Sequence, residues 1–547
     1  MTALTYRARY GLGRVAQVGE DNETAEQHYR AAAADLEAIH RDLRVDEFQA
    51  SFMDDKLDVY EAAVRLALRR GDVETAFDYV ERAKAGALLD LLARGLELLG
   101  EDGEELLARL QALREEWHWH ASQLGGQAPG EDVAPDRSGE LGWWAALRDV
   151  EHRLSEAWRQ LRLQRPEPFD HAQDAPFDSA QDAPVEGRQH RYATLAGGQR
   201  LSSAQVRARL PDDTALIEYY AVAGEMLAFL VYRHDVEVVE LGATAEQVEG
   251  LIGTWRFDLD SLRLMLPDLS PAELAALEAD SQILLQRLYQ ALVAPLAEQL
   301  APYRWLIVVP HRALHYLPLS ALHDGQEYLV NRFQISYLPG ASLLEVSPKT
   351  SEVFGDLRDL PCPLVLAHSD GGRLPHTLDE ARQVATVLKE AQVFLEAGAT
   401  EARLREHGPT CGLLHLATHG AFRADNPLFS WLRLADARLT VRDVYGLRLP
   451  YADLVTLSAC ETGLGELRGG DVLGLSQSFL AAGARSLLLS LWAVDDVSTA
   501  HLMAAFYRRL AVGQTKVAAL QKAQQEVREK YPHSFYWAGF VLVGDGD

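Results

Sequence analysis

Through most of the first 165 residues, small and apolar side chains recur at three- and four-residue steps, the period of amphipathic helices. "YEAAVRLALRRGDVETAFDYVERAKAGALLDLLARGLELL", from Tyr60, shows it over about eleven turns, punctuated at Gly71-Asp72, where Asp72 is placed to cap the next helix. From about residue 192 the pattern changes. "TALIEYYAVAGEMLAFLVYRHDVEVVEL" reads as short strands joined by a glycine turn and a charged turn. Helical periodicity returns in "PAELAALEADSQILLQRLYQALVAPLAEQL". Beyond it "WLIVVPHRALHYLPLSAL", "PLVLAHSD", "GLLHLATHG", "LVTLSAC" and "SLLLSLW" supply apolar runs of strand length. Nearly continuous apolar strands that alternate with helices predict an α/β sheet covered on both faces, and chemistry at the carboxyl ends of its strands.

The sequence therefore predicts a multidomain chain. Residues 1–100 resemble tetratricopeptide (TPR) repeats, with Tyr60, Ala67, Gly71, Ala76, Val80 and Ala83 at the positions where such repeats keep large or small residues. Leu12, Gly13, Ala25, Tyr29 and Ala32 repeat the pattern upstream; a plain helical bundle is the alternative reading. Residues 101–165 predict a longer helical hairpin. Its Trp117, Trp119, Trp143, Trp144 and Trp158 read as packing residues, and His118 and His120, two apart on a helix, make a poor metal pair. Residues 166–192 contain a tandem octapeptide, "PFDHAQDAPFDSAQDA", rich in proline and aspartate, which predicts a disordered linker. The α/β part follows.

Composition narrows the function. The chain has 547 residues, 48% of them hydrophobic, enough for several cores. A formal net charge of −27 argues against direct nucleic-acid binding, which needs a basic face. The cysteines, Cys362, Cys411 and Cys460, number three and match no zinc spacing, which fits a reducing compartment. No apolar window has the length of a signal peptide or a membrane span. The expectation is a cytoplasmic protein without a membrane segment.

Two strand ends carry the candidate chemistry. "LLHLATHG" ends in His419-Gly420 and "LVTLSAC" in Cys460. Adjacent parallel strands would bring them together, and an imidazole beside a thiol generates the thiolate nucleophile. The main-chain N–H groups of Gly420 and Cys460 are then the candidate oxyanion hole. Competing patterns are weaker. His415 and His419 have an HxxxH spacing, but in a strand and with no glutamate after the first histidine, so no metal site is expected; His415 reads as a neighbouring support. "TGLGELRGG" lacks the GK[ST] ending of a phosphate loop and reads as a mobile loop beside Cys460. Cys362 and Cys411 read as inert thiols.

"LHLATHG", "LSACETG", "GGDVLGLSQSFLAAGARSLLLSLWAVDD" and the C-terminal "SFYWAGFVLVGD" together resemble the CHAT family. These are caspase-like cysteine peptidase domains associated with TPR repeats and distantly related to separases, gingipains and caspases. The resemblance covers roughly residues 195–547. It implies a mostly parallel, three-layer caspase-like domain with a degenerate first half, 193–355, and a protease half, 356–547. The first half has His311 and His315 but no partnering cysteine. The implied activity is peptide-bond hydrolysis by a His419–Cys460 dyad on protein substrates, with no cofactor, and with the helical module binding substrate or an activating protein. Ser458-Ala459-Cys460-Glu461 departs from the caspase Gln-Ala-Cys form. Strict aspartate specificity is not implied. A resemblance to the separase segment after its Leu-Trp pair makes Asp495 and Asp496, Asp496 above all, candidates for a pocket taking a basic P1 side chain; capping of the following helix is the equal alternative. Two other classes stay open: a non-catalytic caspase-like scaffold in a signalling or defence complex, and a cysteine–histidine acyl-transfer enzyme for small substrates.

Overall fold

The structure, a computed structural model, describes residues 2–42, 57–84, 200–345, 362–388, 390–423, 426–459, 465–468 and 471–547, with separate helical stretches between 109 and 157. The expected linker at 166–192 lies outside the described residues, as does Cys460.

Two helical hairpins open the chain: α1 (Thr2–Val18) with α2 (Asn22–Asp42), and α3 (Leu57–Arg69) with α4 (Val73–Lys84). Small residues let the helices of each pair approach. A Cβ at Gly13 would lie 2.5 Å from a Tyr29 ring carbon, so only glycine admits that ring. Ala25, Tyr29, Ala32, Tyr60, Ala67, Ala76, Val80 and Ala83 are buried, whereas Leu12, which the repeat pattern also marks, is 52% exposed. Gly71, at φ +72°, closes α3, and the Asp72 carboxylate accepts from the Thr75 N–H at 3.0 Å to start α4.

After α5 (Ser203–Arg209) come β1 (Thr214–Val222), β2 (Glu225–Val231) and β3 (Val236–Thr244), then α6 (Ala245–Met265), α7 (Pro271–Leu292), β4 (Trp305–Val309) and β5 (Gln334–Tyr337). The second half contains β6 (Leu364–Ala367), α8 (Thr377–Val387), β7 (Gln392–Leu395), α9 (Glu401–His407) and β8 (Leu413–Ala417). Short strands β9 (Gly420–Ala421), β10 (Trp431–Arg433) and β11 (Arg438–Thr440) lead to β12 (Leu454–Ser458), β13 (Gly465–Arg468) and β14 (Asp471–Gly474). The chain ends with α10 (Leu475–Ala481), β15 (Ser486–Ser490), α11 (Asp496–Leu510), α12 (Lys516–Lys530) and β16 (Phe540–Gly544).

Eleven strands form one sheet in the order β3-β2-β1-β4-β5-β16-β15-β12-β8-β6-β7. Its pairings are parallel except β1–β2, β2–β3 and β15–β16. β8, β12 and β15 are buried at every position, as strands covered on both faces must be. The side chains of His415 and Thr456 meet Tyr507 of α11, while Leu489, of the opposite parity, lines a cavity with Ser476 and Gln477 of α10. A helical N-terminal region and a covered, mostly parallel sheet match the expected fold class. The glycine-rich segment after β12 differs from the loop expectation: β13 and β14 pair antiparallel, Arg468 against Asp471.

Buried charges fix both ends of this architecture. At the amino ends of the strands, Asp453 accepts from Lys516 Nζ at 2.9 Å and faces Arg485, which also binds Asp545 at 2.8 Å. On the far side, α4 docks through its last turn. Lys84 Nζ donates to the Tyr219 carbonyl at 2.6 Å and lies 3.3 Å from Glu218, and the Glu81 carboxylate accepts from the N–H groups of Ala341 and Ser342, both at 2.8 Å. Glu218 is fully buried beside Glu81, and burial first, then that neighbour, push its carboxyl well above the carboxylate range; Lys84 only partly opposes this. The helical region is thus joined to the sheet by charges that are expensive to separate.

One titration follows from the C-terminal segment. His533 caps the turn at Ser534 by accepting the Phe535 N–H on Nδ1 at 3.1 Å, and burial lowers its pKa to about 4. Its ordinary value is 6.5. A depressed histidine contributes stability that is complete above 6.5 and lost as pH falls toward 4, by about 3 kcal/mol. Urea titrations of wild type and His533→Asn, which keeps a capping acceptor without a titrating ring, should converge at pH 4 relative to pH 7. Parallel losses in both would show that His533 does not couple to folding.

Candidate active site

The site is built where β8 and β12 end. The two strands are adjacent and parallel, with Leu416 opposite Leu457 and Ala417 opposite Ser458, and the Thr418 N–H donates to the Ser458 carbonyl at 3.1 Å. His419 stands two residues beyond Ala417, and position 460 stands two beyond Ser458. Parallel strands lie about 4.8 Å apart. The register therefore brings the ends of β8 and β12 to the same level at the same edge.

Beyond His419 the chain leaves the sheet and enters a second, three-stranded one, ordered β11-β10-β9. Its ring packs edge-on against Trp431, with centroids 5.4 Å apart and planes at 68°, and its carbonyl accepts from the Arg433 N–H at 2.7 Å. That bond makes His419 and Arg433 the hydrogen-bonded pair of the antiparallel ladder, so Gly420, opposite Leu432, is the non-hydrogen-bonded pair. The Gly420 N–H is turned away from β10.

His415 lies deeper. It is fully buried in β8, its Nδ1 3.1 Å from the Tyr507 hydroxyl, which donates to Thr456 Oγ1 at 2.7 Å, and its Nε2 is 3.0 Å from Glu380 of α8. It fastens two helices to the strand that carries His419. Among the other thiols, Cys411 is buried, and burial raises its pKa to about 12, so it stays protonated at neutral pH. Cys362 is exposed.

Beyond β15, the Asp495 carboxylate caps α11, accepting from the Ser498 N–H at 2.9 Å. Asp496 is half-buried. Burial, then the nearby Glu380, raise its carboxyl above the ordinary range, against the opposing pull of His376. Trp492 is buried edge-on against Trp255 and donates to the Phe535 carbonyl at 3.0 Å.

Helical residues between 109 and 157 reach this site, which the sequence did not reveal. Leu113, Trp117, Leu147, Val150, Leu154 and Ala157 form a separate small core with Phe429 and Trp431, the indole that carries His419. Within it Arg423 and Glu151, both almost wholly buried, make a bidentate pair, and Glu151 also accepts from Trp117 Nε1 at 3.0 Å and Asn426 Nδ2 at 3.1 Å. Arg114 bridges Glu401 of α9 and, at 2.7 Å, Asp443. The sequence signal was Trp117: so large an aromatic surface needs a partner, and it packs against Phe429, ring centroids 5.6 Å apart.

Residues 282–545 match the CHAT domain family. That stretch is similar to the CHAT domain. The CHAT match takes in β4 to β16, and thus both strand ends described above. Tetratricopeptide repeat protein 28 of Homo sapiens is 27% identical over an alignment that takes in 48% of this chain and 13% of that protein; the Mus musculus protein is 26% identical with the same coverage. The chain therefore spans a small part of these relatives' length. Among solved structures, the separase–securin complex of Saccharomyces cerevisiae aligns with 98% of this chain and 46% of its own at 10% identity and a TM-score of 0.45. The Arg-specific cysteine proteinase gingipain R aligns with 49% and 67% at 12% identity and a TM-score of 0.32. No helix among the described residues is long and apolar enough to cross a membrane.

Proposed function

We propose that this protein is a cysteine endopeptidase in which Cys460 is the nucleophile and His419 the general acid and base. The observation that supports the reading is the β8–β12 register, which ends side by side the two strands that His419 and Cys460 follow in sequence. In the reaction, His419 takes the Cys460 proton and the thiolate attacks the scissile carbonyl carbon. The carbonyl π electrons move to oxygen, where the N–H groups of Gly420 and Cys460 stabilise the oxyanion. Collapse breaks the C–N bond as His419 protonates the departing amine, leaving a thioester that water hydrolyses. No metal or cofactor enters this scheme. In this reading 193–355 supports the sheet, supplying the contiguous β1–β5 block, and 356–547 supplies the chemistry. The helical module, 1–100 and 101–165, recruits a protein substrate or an activating protein in the cytoplasm. The test is to incubate the protein with a cell extract and map new N-termini against a Cys460→Ala control. An identical set of termini in both would leave the fold as a binding scaffold.

Specificity at P1 belongs to the same reading. Asp495 is already engaged as a cap, which leaves Asp496 as the carboxylate for a basic P1 side chain. A charge-assisted pair there contributes about 1.5–3 kcal/mol, or a tenfold to hundredfold preference for Arg or Lys. Asp496→Asn should abolish that preference in a P1 peptide library at nearly unchanged melting temperature. A wild-type preference for apolar P1 residues would remove Asp496 from the pocket.

A further inference from the structure

Beside the indole that packs on His419 lies a buried arginine. Arg438 of β11 is 5% exposed, its guanidinium carbon sits 4.7 Å from the centre of the Trp431 ring, and its Nε has no hydrogen-bond partner among the described residues. Directly across the ladder stands another arginine, Arg433. Like charges opposite each other in an antiparallel pair repel, so the fold retains an arrangement that costs it stability. Arg433 Nε also lacks a hydrogen bond, and its carboxylate neighbour, Asp370, is 3.7 Å away and shared with Arg373 at 3.4 Å. Arg423, close by, is committed to Glu151. Burial first, then Arg433 and Arg423, lower the Arg438 pKa to about 10, and Asp370 offsets part of this. A cation–π contact offsets only part of the cost of a buried guanidinium. Arg433 is one-third exposed, so the pair is open to solvent from its side.

We infer that Arg433 and Arg438 form a binding site for a carboxylate side chain of the peptide ligand. This deepens the peptidase reading and rests on it for the placement of the bond to be cut. The Arg438 guanidinium lies within about 10 Å of the His419 ring, because both contact Trp431. An extended peptide advances roughly 3.3 Å per residue, so the acidic residue falls about three residues from the scissile bond. Two guanidinium forks suit a carboxylate, which accepts from both at once.

The experiment uses the full chain and pairs of fluorescent peptides that differ only by Glu or Gln at positions two to four residues from the cleaved bond. Binding is read by anisotropy on Cys460→Ala, and cleavage as kcat/KM on the active protein. The Glu peptide is expected to bind and react about tenfold better or more, and less so at high salt. Arg438→Met, which keeps the apolar stem over Trp431, should erase that ratio, and Arg438→Glu should reverse it toward a Lys peptide. Melting temperatures identify any variant that fails to fold, and Arg433→Gln, at the more exposed position, then supplies the second reading of the ratio. Equal binding of Glu and Gln peptides to the Cys460→Ala protein, or a Glu preference that survives in both folded arginine variants, overturns the site. Glu-selective binding without any cleavage by the wild-type chain would uphold the acid site and refute the peptidase.

Discussion

Cys460→Ala and His419→Ala are each expected to lower kcat/KM for a cleaved peptide by roughly 10⁴-fold or more, and the double variant should be little worse than either single one. Nucleophile and base act as a unit, so removing one forfeits nearly all that the other contributes. Cys411→Ala should keep activity, since its buried thiol stays protonated and is engaged with the His407 carbonyl at 3.1 Å. Cys362→Ala should keep it too. The measurement is progress-curve kinetics on one peptide across the four single variants and the double. Full activity in Cys460→Ala would end the peptidase reading, and additive losses in the double variant would mean that the two residues do not share a step.

The second large effect is expected at Glu151, far from either residue in sequence. Glu151→Ala leaves the Arg423 guanidinium buried without its carboxylate and takes the acceptor from Trp117 and Asn426. Breaking a buried pair from one side costs about 3–5 kcal/mol. The cost falls on the small core that includes Phe429 and Trp431. Urea unfolding should show a lower midpoint, and limited proteolysis should cut first within 101–165. Peptide cleavage should fall as well, because Trp431 both belongs to that core and packs on His419. Adding Arg423→Met to Glu151→Ala should recover much of the stability, since an apolar pair leaves no stranded charge. Wild-type stability in Glu151→Ala would show that the helical residues between 109 and 157 are not held by this pair.

Much of this molecule was legible in its residue pattern, for identifiable reasons. Helical period set the two N-terminal hairpins, because Ala25, Ala32, Ala67 and Ala76 leave room only for close helix packing. Unbroken apolar runs marked β8, β12 and β15, because strands buried on both faces have no polar side to show. Apolar runs ending at His419 and Cys460 located the candidate site, since chemistry needs a polar residue where a strand emerges. The HxxxH spacing was read as no metal site, with His415 as a neighbouring support, and in the fold His415 lies buried between Tyr507 and Glu380 of two helices.

What local pattern determined, then, was the existence and type of the elements and the residues with chemistry at their ends. Strand order was a tertiary outcome. Nothing local says that β16, last in the chain, lies between β5 and β15 and so joins the two halves into one sheet. The placement of buried charge was decided in the same way. Lys84, Glu151, Arg423 and Arg438 look in sequence like solvated side chains, and each is nearly inaccessible here. Period and propensity report one element at a time, whereas desolvation depends on which elements meet. Two of the partners of Glu151, Arg423 and Asn426, lie more than 270 residues away, and only the packed chain brings them together.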